Sequence, residues 1–131
     1  MHLEKINPDT LPDAAAMGYT QVTTTEASKL VFISGQVAMK RDGGEIPEDL
    51  ASQVEIAMDN LRLALEAVGA GPEHVTSLRM YIVNLSSSML GDGLAHVNAF
   101  FGGPMPSATV VGVTSLVLPQ LKVEIEATAA L

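Results

Sequence analysis

The feature that most constrains the fold is a run of apolar residues with helical spacing in the middle of the chain. Between positions 48 and 68, apolar side chains recur every three or four residues: Leu50, Val54, Met58, Leu61, Leu65 and Val68. This spacing places them on one stripe of an α-helix. Pro47 precedes the stripe, where its fixed φ angle suits a helix start, and Gly69 follows it, where a left-handed residue ends many helices. The pattern predicts a helix over 48–68 with one buried face.

Five other segments have the composition of β-strands, being rich in β-branched or alternating apolar residues. They cover positions 19–24, 30–34, 77–83, 109–113 and 122–129. In the last of them, Val123, Ile125 and Ala127 alternate with charged residues. Because successive side chains of a strand point to opposite sides of the sheet, this alternation predicts one buried face and one polar face.

A second, shorter helix is predicted over 88–101, before Gly102, Gly103 and Pro104. The element order is then β-β-α-β-α-β-β. Pairs of strands separated by single helices favour an α+β sandwich, in which two helices cover one face of a mixed sheet. The length of 131 residues fits a single domain over 1–131. The other face of the sheet needs cover, and with 47% apolar residues we expect copies of the chain to supply it.

Composition argues against several classes of function. The chain has no cysteine, so disulfides and thiolate chemistry are excluded. Its net charge of −8 and scattered basic residues disfavour nucleic-acid binding, which needs clustered cations. His2, His74 and His96 are far apart in sequence, so we expect no metal site and no cofactor. No apolar run reaches about 18 residues and no signal-peptide pattern is present, which favours a cytoplasmic protein that does not span a membrane.

Five short motifs occur in a fixed order: Gly18-Tyr19-Thr20-Gln21, Ser34-Gly35-Gln36, Gly69-Ala70-Gly71, the segment PMPSATVVGVTSL over 104–116, and VEIEA over 123–127. Together they resemble the Rid family (the RidA/YjgF, L-PSP endoribonuclease-like proteins), and the resemblance covers nearly the whole chain. It implies a chorismate-mutase-like fold and a homotrimer with small-molecule clefts between subunits. The ribonuclease activity in the family's older labels is disfavoured here by the acidic charge.

The resemblance also implies roles for individual residues. In members that hydrolyse imines, an arginine holds the substrate carboxylate, a glutamate activates water, and a tyrosine and a serine-glycine strand complete the pocket. The matching positions of this chain are Tyr19, Ser34, Gly35, Ala108, Thr109 and Glu124. Glu124 is the candidate catalytic residue and the others are candidate substrate-binding residues. In the family pattern P-A-R-S/T, however, the arginine position is occupied by Ala108.

This substitution removes a guanidinium that binds carboxylates through two charged hydrogen bonds. Losing such a partner in a desolvated cleft costs about 2–5 kcal/mol. Arg79 lies in the middle of a predicted strand, on the same side as Tyr81, and is the one candidate replacement. The alternative is that Arg79 sits on a solvated strand face or pairs with Glu124 or Glu126. Those two glutamates share a face, so the pattern does not separate their roles.

These residues favour a protein that acts on or binds a small metabolite in an intersubunit cleft. If the protein is an enzyme, we expect a deaminase-like hydrolase of an imine, enamine or similar C–N substrate, less anionic than an amino-acid imine. The alternatives are a non-catalytic binding or regulatory trimer and a partner subunit of another enzyme. Alignment on Phe100-Phe101-Gly102 puts Leu94 at the family's asparagine, so Asn98 receives no role.

Overall fold

The structure is a computed structural model and describes residues 2–131, except for the side chain of Asp92. Three strands come first: β1 (His2–Ile6), β2 (Val22–Glu26) and β3 (Leu30–Gln36). They are followed by helix α1 (Leu50–Glu66), strand β4 (Val75–Val83) and helix α2 (Ala95–Phe101). Strands β5 (Ser107–Val113) and β6 (Val123–Ala130) complete the chain.

Four strands form one mixed sheet in the order β3-β6-β4-β5. Strands β4 and β5 are parallel, whereas β6 is antiparallel to both of its neighbours, β3 and β4. Helix α1 packs on β6 and β3 and against α2, and the core lies between the helices and the sheet. This is the predicted α+β, chorismate-mutase-like arrangement, with two helices on one face. The opposite face, which we call the open face, carries no helix among the described elements.

Helix α1 confirms the predicted stripe in its central turns. Val54, Met58, Leu61 and Leu65 are buried against the sheet. The predicted ends were wrong by two residues each, because the start is fixed by Asp49, whose carboxylate accepts a hydrogen bond from the Ser52 amide at 2.9 Å. At the other end Val68 lies beyond the last helical residue and is 42% exposed.

The amino-terminal region departs from the prediction. The strand expected over 19–24 is displaced to Val22–Glu26, and it pairs with β1, which was not predicted. Residues 18–20 are bonded instead to the loop before β5: the Met105 amide donates to the Gly18 carbonyl at 2.9 Å, and the Thr20 hydroxyl donates to the Met105 carbonyl at 2.8 Å. The observed order is therefore β-β-β-α-β-α-β-β. The other four predicted strands are confirmed to within two residues of their ends.

The second helix is shorter than predicted. Residues 88–94 form two short 3-10 turns, Ser87–Met89 and Asp92–Leu94, and α2 begins only at Ala95. Gly91 and Gly93 explain the difference, because glycine disfavours the interior of an α-helix. A side chain at Gly93 would also lie 2.9 Å from a methyl carbon of Leu50 on α1. The 3-10 turn at Gly93 thus packs closely against Leu50 at the start of α1.

The fully buried Gln53 side chain connects α1 to two loops. Its amide nitrogen donates to the carbonyls of Pro47 (2.7 Å) and Gln120 (2.9 Å), and its oxygen accepts from the Lys122 amide (2.8 Å). We expect Gln53→Met, of similar volume, to lower the free energy of unfolding by about 2–4 kcal/mol, since it leaves three buried or part-buried backbone groups without a partner. Urea titration measures this. The exposed Gln120→Met is the control, and an equal loss in both variants would contradict the assignment.

Candidate functional site

The open face carries the polar residues that the sequence analysis singled out. Val123 and Ile125 of β6 are fully buried against the helices, whereas Glu124 and Glu126 are half-buried on the open face. The predicted alternation of β6 is therefore confirmed. On β4, Arg79 lies between Thr109 of β5 and Glu126 of β6 in the sheet register. The open face is thus a charged surface on an otherwise apolar sheet.

Tyr19 is fixed at the outer edge of β5. Thr20, which is 1% exposed, is bonded to Met105 through its hydroxyl and to the Pro106 carbonyl through its amide at 3.4 Å. Thr20 also forms a bridge with Ser107 at the start of β5. These bonds hold the neighbouring Tyr19 ring next to Ala108.

A cavity of about 320 Å³, which we call the Tyr19 cavity, opens beside this ring. Tyr19 and Asn98 are its polar side chains, and its remaining walls are Met17, Leu90, Leu94, Met105, Ala108 and Val110. None of these residues carries a charge. The cavity therefore suits an apolar group with one or two hydrogen-bonding atoms.

A second cavity of about 330 Å³ lies on the open-face side of strand β5. We call it the Arg79 cavity, because Arg79 is its only charged residue. Thr109, Ser77 and Ser107 add hydroxyl groups to its lining. Tyr19 and Ala108 line both cavities, so the two spaces meet at these residues.

Among the described side chains, no carboxylate lies within 4.0 Å of the Arg79 guanidinium. Its neighbour in the register, Glu126, is engaged instead by Tyr81, whose hydroxyl donates to the Glu126 carboxylate. This hydrogen bond raises the pKa of the Tyr81 phenol above its ordinary value of 10.0, with partial desolvation and the negative charge of Glu126 adding to the effect. Of the alternatives from the sequence, the ion pair between Arg79 and a glutamate is not formed, whereas Arg79 does lie exposed on a strand face, as the other alternative predicted.

Glu124 is placed by a glycine on the neighbouring strand. A β-bulge separates Ile33 from Gln36 in the pairing of β3 with β6, and Ser34 and Gly35 lie in it. A Cβ atom at Gly35 would clash with the Glu124 carboxylate. Only glycine at position 35 therefore leaves room for Glu124 to lie against β3, with the exposed Ser34 next to it.

The predicted site residues fall into two groups within one chain. Tyr19, Ala108 and Thr109 lie around β5, whereas Ser34, Gly35 and Glu124 lie where β3 meets β6. Glu124 is level with Tyr81 and Val111 in the register, which places it two strands away from Ala108 and three residues along. With strand spacing near 4.8 Å and a rise near 3.3 Å per residue, the Cα atoms of Glu124 and Ala108 are roughly 14 Å apart. A small ligand does not span this distance within one chain.

Asn98 is a site residue that sequence reasoning missed. Both Asn98 and Leu94 line the Tyr19 cavity, although the alignment gave a family position to Leu94 alone. The signal in the sequence was the spacing, since Leu94 and Asn98 are four residues apart and so share one side of a helix. Phe101, at the end of α2, lines a different cavity beside His74.

Two further classes of site find no support in the part of the chain that the structure describes. No three His, Asp or Glu side chains gather as metal ligands would among those that the structure describes. No helix within residues 2–131 has the length and apolarity needed to cross a membrane.

The bond between Tyr81 and Glu126 can be tested by titration. In a Tyr19→Phe background, Tyr81 is the only tyrosine, because the chain has two. We expect its phenol to ionise above pH 10.0, and at lower pH after Glu126→Ala, since that change removes both an acceptor and a negative charge. A raised phenol pKa stabilises the fold fully below the ordinary value, and this contribution is lost as pH rises through the raised value.

Ultraviolet absorbance of tyrosinate and thermal melting against pH are the two measurements. Glu124→Ala is the matched control, because Glu124 lies on the same face without bonding Tyr81, and its effect should be smaller. An unchanged Tyr81 titration in Glu126→Ala would show that the bond is not made in solution.

Comparison with known proteins agrees with this architecture. The family described as endoribonuclease L-PSP matches residues 10–131. Protein DfrA of Myxococcus xanthus is 32% identical over 98% of this chain and 96% of its own. The 2-iminobutanoate/2-iminopropanoate deaminase of Escherichia coli K12 is 28% identical over 88% of this chain and 89% of its own. The crystal structure of YyfB, a Rid-family protein from Yersinia pestis, covers 100% of both chains at 35% identity with a TM-score of 0.92. The chain belongs to the endoribonuclease L-PSP (Rid) family.

Proposed function

We propose that the chain forms a cytoplasmic homotrimer that binds a small metabolite between subunits and hydrolyses a carbon–nitrogen double bond in it. In this proposal Tyr19, Ala108 and Thr109 of one copy face Ser34, Gly35 and Glu124 of the next. The observation that carries it is the separation of the two groups within one chain. Thr109 on β5 and Ser34 on β3 are exposed on the two edge strands of the sheet, so a neighbouring copy can bring the two groups together.

The reaction class is supported by the deaminase relative from Escherichia coli, whose substrates are imines. Glu124 supplies the base: its carboxylate accepts a proton from water as the water oxygen attacks the imine carbon. The imine nitrogen takes up a proton as its double bond opens, which gives a tetrahedral amino alcohol. Collapse of that species releases ammonia and leaves a carbonyl compound, so the net change consumes one water.

In this proposal Gly35 and Tyr19 help to position the groups that react: Gly35 leaves room for the Glu124 carboxylate, and Tyr19 lies beside the ligand. Gly35 allows the Glu124 carboxylate to lie on the open face beside Ser34, where a water molecule can reach it. The bonds of Thr20 hold the backbone at Tyr19 beside β5, and Tyr19 and Asn98 are the polar side chains that line the Tyr19 cavity. A fixed donor on one side and a fixed base on the other orient the ligand for attack.

A second candidate function is ligand binding without turnover. The Tyr19 cavity favours it, because its walls are apolar and contain no charged group. A trimer that binds a ligand there could act as a sensor or a regulator even if Glu124 never meets the ligand. Saturable binding with no ammonia release would support this alternative.

We expect Glu124→Gln to lower imine hydrolysis by about 100-fold or more, the usual contribution of a positioned base. Gly35→Ala should produce a similar loss, since the added methyl group displaces the Glu124 carboxylate. Ammonia release from 2-iminopropanoate and from a neutral imine, both generated in the assay, measures the effect. Glu126→Gln is the control on the same strand and face. Equal losses at positions 124 and 126 would refute the assignment of Glu124.

The trimer makes a separate prediction. Phe32 of β3 is 77% exposed in the single chain and lies on the open face, where a neighbouring copy would bury it. We expect light scattering to give about three times the chain mass of 13.7 kDa, and Phe32→Glu to reduce it. Leu63→Glu is the control, because Leu63 is also exposed but lies on the outer side of α1. A monomeric wild type would contradict the proposed assembly.

A further inference from the structure

We propose that the ligand is a carboxylate with an apolar tail, whose anionic end pairs with Arg79 and whose tail occupies the Tyr19 cavity. This inference rests on the proposed function, since it takes the ligand to bind at Tyr19 and Ala108. It adds the charge of the ligand, its shape and the residue that selects it. It also replaces the expectation of a less anionic substrate, which followed from Ala108 alone.

The first observation is the state of Arg79. Its guanidinium lines a cavity on the open face, and no carboxylate that the structure describes lies within 4.0 Å of it. The other helix or strand arginine, Arg62, is paired with both Glu66 (2.7 Å) and Asp59 (3.5 Å). In a chain with a net charge of −8, an unpaired cation is an attractive position for an anionic ligand.

The second observation explains why Arg79 stays unpaired. Glu126 is its neighbour in the sheet register, but the carboxylate is bonded to the Tyr81 hydroxyl two residues along β4. Tyr81 therefore keeps Glu126 away from Arg79. The planar guanidinium is left with its donors available, and it binds a carboxylate through two parallel hydrogen bonds.

The third observation concerns position 108. Ala108 pairs with the buried Leu78, so its methyl group points to the helix side of the sheet, whereas Arg79 points to the open face. The Tyr19 and Arg79 cavities therefore meet around the edge strand β5, at Tyr19 and Ala108, where the methyl group leaves space that an arginine would fill. The chain thus has the cation on β4 and free space on β5. A ligand with its carboxylate on Arg79 can extend past Ala108 into the apolar cavity.

The test uses three probes that separate the charge from the tail: hexanoate, hexan-1-ol and acetate. We expect isothermal titration calorimetry of the wild-type protein to show hexanoate binding more tightly than either of the others. Arg79→Ala should weaken hexanoate binding by roughly 10- to 100-fold and leave hexan-1-ol unchanged, since only the charged hydrogen bonds are lost. Arg62→Ala is the matched control and should change nothing. Equal hexanoate binding in wild type and Arg79→Ala would overturn the inference.

A second set of variants guards against an indirect effect of Arg79→Ala on the fold. Tyr81→Phe keeps Arg79 but releases Glu126, which can then pair with the guanidinium, so hexanoate binding should weaken. Adding Glu126→Gln to Tyr81→Phe removes the competing charge and should restore binding. A general structural defect would not be rescued in this way, and failure of the rescue would count against the role of Tyr81 and Glu126.

Ala108→Arg tests the shape of the ligand. It should weaken hexanoate and strengthen acetate, because the new side chain fills the space for a tail and adds a cation. A gain for both probes would overturn the tail assignment. Failure of this inference is distinguishable from failure of the proposed function. Imine hydrolysis that depends on Glu124 but not on Arg79 would contradict the inference and still support the proposed function.

Discussion

The structure depends on strand β6, which is hydrogen-bonded on both edges, to β3 and to β4. A strand in this position has a fixed register, and a shift of one residue would turn every side chain to the other face. Its apolar residues Val123 and Ile125 therefore face α1, and Glu124 and Glu126 must face away from it. The two carboxylates are held on the open face by the burial of their neighbours. The core and the candidate site are two sides of one strand.

Each carboxylate then has a different partner, and this difference gives them different roles. Glu124 lies against Gly35, where no side chain competes for the space, and it is free to meet water or a ligand. Glu126 is bonded to Tyr81 and is thereby kept from Arg79. The same face thus holds Glu124, the candidate base, and Arg79 on adjacent strands. Arg79 would not be available to a ligand if Glu126 paired with it, and Glu124 would be displaced if position 35 carried a side chain.

The sequence predicted the elements whose residues are buried by the sheet and missed those that depend on distant contacts. The stripe of α1 and the alternation of β6 are local patterns, and both were found. Strand β1 was missed because its residues are mostly exposed and its partner β2 lies about 20 positions away, so no period marks it. Of the site, Glu124 and Tyr19 were named by resemblance, but the roles of Tyr81 and Asn98 follow from contacts between strands and loops. The availability of Arg79 depends on the Tyr81–Glu126 bond, which no spacing reveals.

The central claim is that the site forms between copies, from Tyr19 and Ala108 of one chain and Glu124 of another. Subunit mixing tests it directly, using Glu124→Gln chains and Ala108→Trp chains, each inactive alone. If the claim holds, refolding them together in equal amounts restores activity, because in randomly mixed trimers about a quarter of the clefts combine two unaltered halves. If both halves of the site belonged to one chain, every cleft in the mixture would carry an altered residue. Mixing would then restore nothing, and the account of a shared site would be wrong.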